Sequence, residues 1–180
     1  MTLPKEKQIQ IDNEVVSALE ETGLTYPESN LLDIAEKLGV KVFYTDFSEF
    51  KENSNKIGGL IKWNDEPIAG EGLKANIYLN KDYSPERQRF TLAHELGHFI
   101  LHKGSDKWRI DLYDYSQNSE ESMQETEANY FAGNLLMPKS EFEKILKVSN
   151  GDLDITSKYF GVSRSAVEVR LQWIQDNKNN

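Results

Sequence analysis

The stretch RFTLAHELGHFILH, residues 89–102, decides how the rest of this 180-residue chain is read. From Pro85 onward the pattern is helical, with Ser84 as a candidate N-cap and Gly104 near the expected end. Within it, His94-Glu95-Leu96-Gly97-His98 is an H-E-x-x-H motif. Residues i and i+4 of a helix lie about 40° apart around the axis, so both imidazoles project the same way. They can therefore take one zinc ion at about 2.0–2.1 Å each. Glu95 is about 100° round from His94, within reach of a metal-activated water without being a ligand. The competing reading is two surface histidines on a helix, but Phe90, Leu92, Phe99, Ile100 and Leu101 make this an apolar helix.

A catalytic zinc usually has three protein ligands. His102 continues the i, i+4 ladder, yet three histidines on one straight helix span about 12 Å and cannot share an ion. His102 is read instead as a helix C-terminal histidine, favoured there by the macrodipole. A second source is the acidic helix from about Glu120 to Leu136, which stops before Pro138. On a helical wheel centred on Glu125, Ala128, Ala132, Leu135 and Leu136 fall within about 80° and Asn129 within about 40°. Glu125 thus belongs to the edge of a buried face, and the two alanines allow another helix to approach closely. Glu127 falls at about 200°, beside Tyr130 and Asn134, and is expected to be solvated.

Taken together, RFTLAHELGHFILH and ETEANYFAGNLLMP resemble the two signature blocks of the ImmA/IrrE metallopeptidases. ANIYLNKDYSPERQRF and LLDIAEKLGVKVFY are also similar to that family, and the likeness covers roughly residues 30–140. The resemblance implies zinc, Zn(2+), held by His94, His98 and Glu125, with Glu95 catalytic. Glu125, Ala128 and Asn129 also resemble the E-x-x-[SA]-[DN] ligand helix of thermolysin-like enzymes, which implies that Asn129 supports a zinc-binding histidine from behind. Zinc would acidify water and polarise the scissile carbonyl, and Glu95 would move the proton to the leaving amine. Tyr130, Tyr113, Tyr115 and His102 are chemically able to stabilise the oxyanion, and the residues do not choose among them. Members of the family with a C-terminal sensor domain are much longer, so this chain is expected to lack one.

Working outward from the motif, a first helix is expected from about Gln8 to Thr22, with Ile11, Val15, Ala18 and Leu19 at helical spacing. A second starts near Pro27 and Ser29, runs through LLDIAEKLG and stops at Gly39. VKVFYTDF, GGLIKW and ANIYLN read as strands, the last two antiparallel across a turn at Asn64–Pro67. Lys103 to Ser119 reads as a long loop. EFEKILKV, ITSKYF and SRSAVEVRLQWIQ read as three short helices, and DNKNN as a frayed tail. The class is α+β: a small, mainly antiparallel sheet with packed helices that carry the zinc-peptidase site, plus a helix-turn-helix-like C-terminal piece. The division is a zincin-like domain over residues 1–138 and a helical subdomain over 139–180, packed on the first.

Composition excludes several alternatives. Cysteine is absent, which removes disulfides and thiolate chemistry together. The net charge of −9 argues against DNA or anionic lipid as the main partner. No secretory signal and no membrane span is visible, so a cytoplasmic location is expected. From Asp152 to Asp176, Lys158, Arg164 and Arg170 face Asp152, Asp154, Glu168 and Asp176, leaving no basic face for phosphates and no direct nucleic-acid contact expected. Between Arg109 and Lys139 lie Asp111, Asp114, Glu120, Glu121, Glu125 and Glu127 without one lysine or arginine. That run reads as a solvated acidic surface or, more sharply, as an acidic rim that draws in basic substrates.

The expected function is a zinc-dependent endopeptidase that selectively cleaves a regulatory protein. The resemblance implies a helix-turn-helix transcriptional repressor as that substrate. The alternative is a metal-containing, peptidase-like binding module, an anti-repressor or toxin/antitoxin-type partner that docks without cleaving. An intact Glu95 counts against that alternative, and the charge balance counts against a DNA-binding regulator.

Overall fold

The computed structural model describes residues 3–25, 30–49, 57–64, 72–102, 108–112 and 119–179, and within these it leaves out the side chains of 108–112, 119–122 and 177–179. Helix α1 (Lys5–Thr22) buries Ile11, Val15 and Ala18 along one stripe and ends at Gly23, whose φ of 65° is left-handed. Helix α2 (Leu31–Lys37) is capped by Asn30, whose side chain accepts from the Leu32 N–H at 3.0 Å. The expected starts at Pro27 and Ser29 lie outside the described residues. Gly39 then turns the chain into β1 (Val40–Thr45) at φ 82°. A Cβ there would sit 2.7 Å from the Gly72 carbonyl oxygen, so only glycine fits.

Strands β2 (Ile57–Trp63) and β3 (Ala75–Asn80) follow, and a fourth, β4 (Trp108–Leu112), lies inside the stretch expected to be loop. Trp108, Ile110 and Leu112 do alternate with Arg109 and Asp111, but five residues are too few to stand as a strand without a partner. The open edge of β2 provides that partner. The sheet order is β1-β3-β2-β4, with β1 parallel to β3 and the other two pairings antiparallel. The fold is α+β with a small, mainly antiparallel sheet.

Helix α3 (Pro85–Leu101) lies across β2 and β3, and its other side packs on α4 (Ser119–Leu136). Ser84 caps α3 as expected, accepting from the Arg87 N–H, and Pro85 opens the first turn. Helices α5 (Lys139–Val148), α6 (Leu153–Phe160) and α7 (Arg164–Asn179) follow. Helix α7 is a full 16 residues and absorbs most of the expected DNKNN tail. Phe142, Phe160, Val167 and Ile174 belong to the same buried cluster as Ile11, Leu96 and Phe131.

Two polar ties hold the C-terminal helices in place. Arg89 Nη1 donates to the Phe160 carbonyl at 3.3 Å, and Arg170, 2% exposed, donates from Nε to the Met137 carbonyl at 3.0 Å. Burial pushes the Arg170 guanidinium below its ordinary value, against the attraction of Tyr130 and Asp12. Among the described residues no helix is long and apolar enough to cross a membrane.

Candidate metal centre

Helix α3 carries His94 and His98 one turn apart, and both are buried between the sheet and α4. Helix α4 brings Glu125 to them across the α3–α4 contact. His94 Nε2 lies 3.0 Å from His98 Nε2 and 3.1 Å from Glu125 Oε2, and His98 Nε2 lies 3.3 Å from Glu125 Oε1. Two ligands at about 2.0–2.1 Å from a tetrahedral ion stand about 3.3 Å apart, so the three groups already have the spacing of one coordination face.

What lies behind each imidazole strengthens this reading. Asn129, one turn after Glu125 on α4, sets its Oδ1 3.0 Å from His94 Nδ1. An amide oxygen only accepts, so His94 Nδ1 donates and Nε2 keeps its lone pair towards Glu125. His98 Nδ1 lies 2.9 Å from His102 Nδ1, and His102 Nε2 lies 3.0 Å from Glu127 Oε2. The Glu127 carboxylate fixes His102 Nε2 as a donor, which makes Nδ1 of a neutral His102 an acceptor and His98 Nδ1 the donor. Lys7 Nζ, 3.4 Å from Glu127 Oε1, closes the row from α1.

Two lone pairs and a carboxylate thus converge in a buried site, an arrangement that calls for a cation. Without a metal, protons on the imidazoles would have to serve. Burial pushes the Glu125 carboxyl up, but hydrogen bonds and charge from His94 and His98 outweigh it and hold the group well below the usual carboxylate range.

Glu95 is fully buried on the sheet side of α3, facing Gly59 of β2. A Cβ on Gly59 would come within 2.7 Å of Glu95 Oε1 and of Thr91 Cγ2. The register of β2 against β4 also slips between Ile57 and Gly59. The bare backbone of β2 makes the space in which the Glu95 carboxylate sits.

A model of the peptidase family described as the IrrE N-terminal-like domain matches residues 35–172, most of the chain. The chain belongs to this family. The radiation response metalloprotease IrrE of Deinococcus radiodurans is 43% identical over 72 residues, 39% of this chain and 22% of that protein. Its namesake from Deinococcus deserti is 44% identical over 71 residues, 39% of this chain and 25% of that protein. The chain therefore spans a quarter or less of the length of these relatives. Among solved structures, a Mycobacterium tuberculosis transcriptional regulator superposes with a TM-score of 0.56 over 91% of this chain and 46% of that one. At 18% identity this is a likeness of fold.

In this IrrE-like domain the expected site residues His94, His98, Glu125 and Asn129 meet at the α3–α4 contact, and Glu95 lies on the sheet side of α3 against Gly59. His102 is not part of the converging group and stands behind His98. Glu127, expected to be solvated, is 7% exposed and engaged by both His102 and Lys7. The helical wheel assumed one buried face, whereas α4 is covered by α3 on one side and by α1 and α7 on others. Tyr130, an oxyanion candidate, is spent on that second covered side: its ring packs at a 54° tilt on Trp173, centroids 5.0 Å apart, and its hydroxyl donates to Gln8. Tyr113 and Tyr115 lie outside the described residues. Glu125 and Glu127 point inward, so neither belongs to an acidic rim.

Gly59 and Gly97 are the site residues that the sequence signals but does not explain. A glycine inside a strand marks a close backbone approach, which is the role of Gly59. Gly97, between the two histidines, lets α4 come close: a Cβ there would meet Ala128 Cα at 3.1 Å and Ala128 O at 3.2 Å. Gly97 and Ala128 together set the distance across which Glu125 reaches His94 and His98.

Proposed function

We propose that this chain is a zinc-dependent endopeptidase, with zinc held by His94, His98 and Glu125 and with Glu95 as the proton carrier. The observation that carries the reading is the convergence of two imidazole Nε2 atoms and one carboxylate at 3.0–3.3 Å, with each Nδ1 tied to an acceptor behind it. Nitrogen and oxygen donors on three side chains, with no thiolate, suit a catalytic rather than a structural zinc. Bound there, zinc supplies Lewis-acid polarisation of a peptide carbonyl and acidifies water towards neutrality. Glu95, one residue from His94 and clear of the ligand set, accepts the proton of the attacking water and hands it to the leaving amine. Asn129 keeps the His94 ring oriented.

The metalloprotease name of the Deinococcus relatives supports this activity. The division into a peptidase part, 1–138, and a helical part, 139–180, and a cytoplasmic location belong to the same proposal. So does the substrate: a regulatory protein, a helix-turn-helix repressor in the reading that the ImmA/IrrE resemblance implies. Direct DNA binding is not part of it. Of the basic residues on α6 and α7, Arg170 is buried and Arg164 is held by Asp154 at 2.8 Å and Glu168 at 3.1 Å.

Glu95→Gln tests the chemistry. The variant is expected to keep zinc and fold while losing cleavage of a co-expressed repressor encoded beside the gene. Wild-type cleavage by Glu95→Gln would rule Glu95 out as the proton carrier. A repressor left whole yet released from its operator by Glu95→Gln would favour docking without cleavage.

A further inference from the structure

Helix α7 buries one stripe and leaves a second only partly covered. Val167, Arg170 and Ile174, spaced i, i+3 and i+7, are all buried, whereas Ala166 and Trp173 are only partly buried against the core. Ala166, Val169 and Trp173 repeat the same spacing one position round, and Val169 is 47% exposed. That second stripe lines a groove of about 760 Å³, partly open to solvent, opposite Phe90 of α3, above Gly133 of α4 and beside Met137; Arg87 and the hydroxyls of Ser84, Thr91, Ser163 and Ser165 line it too. The cavity is within the size range of ligand pockets, about 300–1,000 Å³.

The cavity ends at the metal centre. His94 and Asn129 line it, and so does Gly58, next to the glycine that faces Glu95. Trp173 is held in place as a wall: its ring packs at a 54° tilt on Tyr130, centroids 5.0 Å apart, and its edge crosses Gly133, where a Cβ would stand only 3.1 Å from Cζ3. A side chain at position 133 would push the ring off its seat. The wall is therefore set by α4, the helix that also carries Glu125.

We infer that this groove binds the substrate chain beside the scissile bond and accepts a bulky apolar side chain, read by Ala166, Val169 and Trp173 of α7. The inference rests on the endopeptidase reading and extends it, because it makes the C-terminal helices part of the substrate site. The occupant follows from the position. A groove whose inner end is a metal-ligand imidazole is filled by the chain whose peptide bond reaches that metal, and its lining is matched by leucine, methionine or phenylalanine. A half-exposed valine on the groove wall is a position at which a new charge would meet the incoming side chain.

The test uses the full, zinc-loaded chain and a mixture of peptides from a digested bacterial proteome, with cut sites mapped by mass spectrometry. Wild type is expected to enrich leucine, methionine or phenylalanine at one fixed position next to the cut. Val169→Glu and Val169→Arg should each reduce that enrichment at least tenfold, and Val169→Arg should turn preference towards acidic residues. Val148→Glu, on a residue 75% exposed on α5 and outside the groove, should leave the profile unchanged. An unchanged profile in both Val169 variants would overturn the inference. If wild type cuts no peptide in the mixture, the endopeptidase reading is decided by the co-expressed repressor, and binding to a peptide array decides the groove separately. Apolar-centred peptides held by Glu95→Gln but lost from Glu95→Gln/Val169→Glu would support it. Equal binding, or none, would overturn it.

Discussion

Gly97→Ala should loosen the metal centre without touching a ligand. Alanine is the better helix former by about 1 kcal/mol, so on an open helix surface the change would stabilise. Here the added Cβ meets Ala128 Cα at 3.1 Å, Ala128 O at 3.2 Å and Phe131 Cβ at 3.2 Å. Carbon contacts settle at about 3.5–4.0 Å, and two of these three atoms are backbone, so α3 and α4 must part by about half an ångström. Overpacking of this kind costs about 1–3 kcal/mol, which leaves a net loss of about 0–2 kcal/mol after the gain in propensity. For a chain of this size that lowers Tm by up to about 8 °C.

The same shift stretches the 3.0–3.3 Å spacings between the ligand atoms. They would reach roughly 3.5–3.8 Å, past the 3.3 Å of a tetrahedral face and beyond the tolerance of about 0.2 Å per bond. Zinc affinity should fall about tenfold or more, or 1.4 kcal/mol. Calorimetry of the metal-free and metal-loaded protein reads the first effect, and competition with a chromophoric chelator reads the second. A raised Tm in the metal-free protein together with wild-type zinc affinity would refute the claim that Gly97 sets the helix spacing.

Gly59→Ala should behave in the opposite way, because its Cβ strikes the ends of Glu95 and Thr91 rather than backbone. Zinc content and Tm should stay near wild type while cleavage falls about 10²-fold, and a wild-type rate would remove Gly59 from the positioning of Glu95. His102→Ala should weaken zinc binding about 10–100-fold with all ligands intact, and His102→Gln, which keeps an acceptor and a donor, should lose less. Equal affinity in both variants would mean that the row from His98 to Glu127 is only packing. Zinc affinity should fall as the pH is lowered, because protons compete for the two imidazoles. Glu125, held well below the usual carboxylate range, stays ionised and adds little to that fall, so a decline confined to pH 4–5 would point to a carboxylate-dominated site.

The metal motif and most of the fold around it are legible in the order of the residues, because their signals are local. H-E-x-x-H at helical spacing, the Ser84 cap, the stop at Gly39 and the β-branched strand runs each depend on neighbours a few positions away. Glu125 also fell on the buried edge of its wheel, next to two alanines that mark a close helix contact. What needed the tertiary structure depends on partners distant in sequence. Strand β4 exists because β2 offers it an edge, 50 residues apart in numbering at Leu60 and Ile110. Glu127 is buried because Lys7 of α1 and His102 at the end of α3 close on a side of α4 that a single-face wheel leaves open, and that closure turns His102 from a helix-end histidine into the support of His98. Gly59 makes room for a carboxylate 36 positions away by number, and Val169 and Trp173 become a wall only once α7 is laid against α4. Periodicity reports which residues share a face of one element; which element covers that face, and at what distance, is decided only when the chain packs.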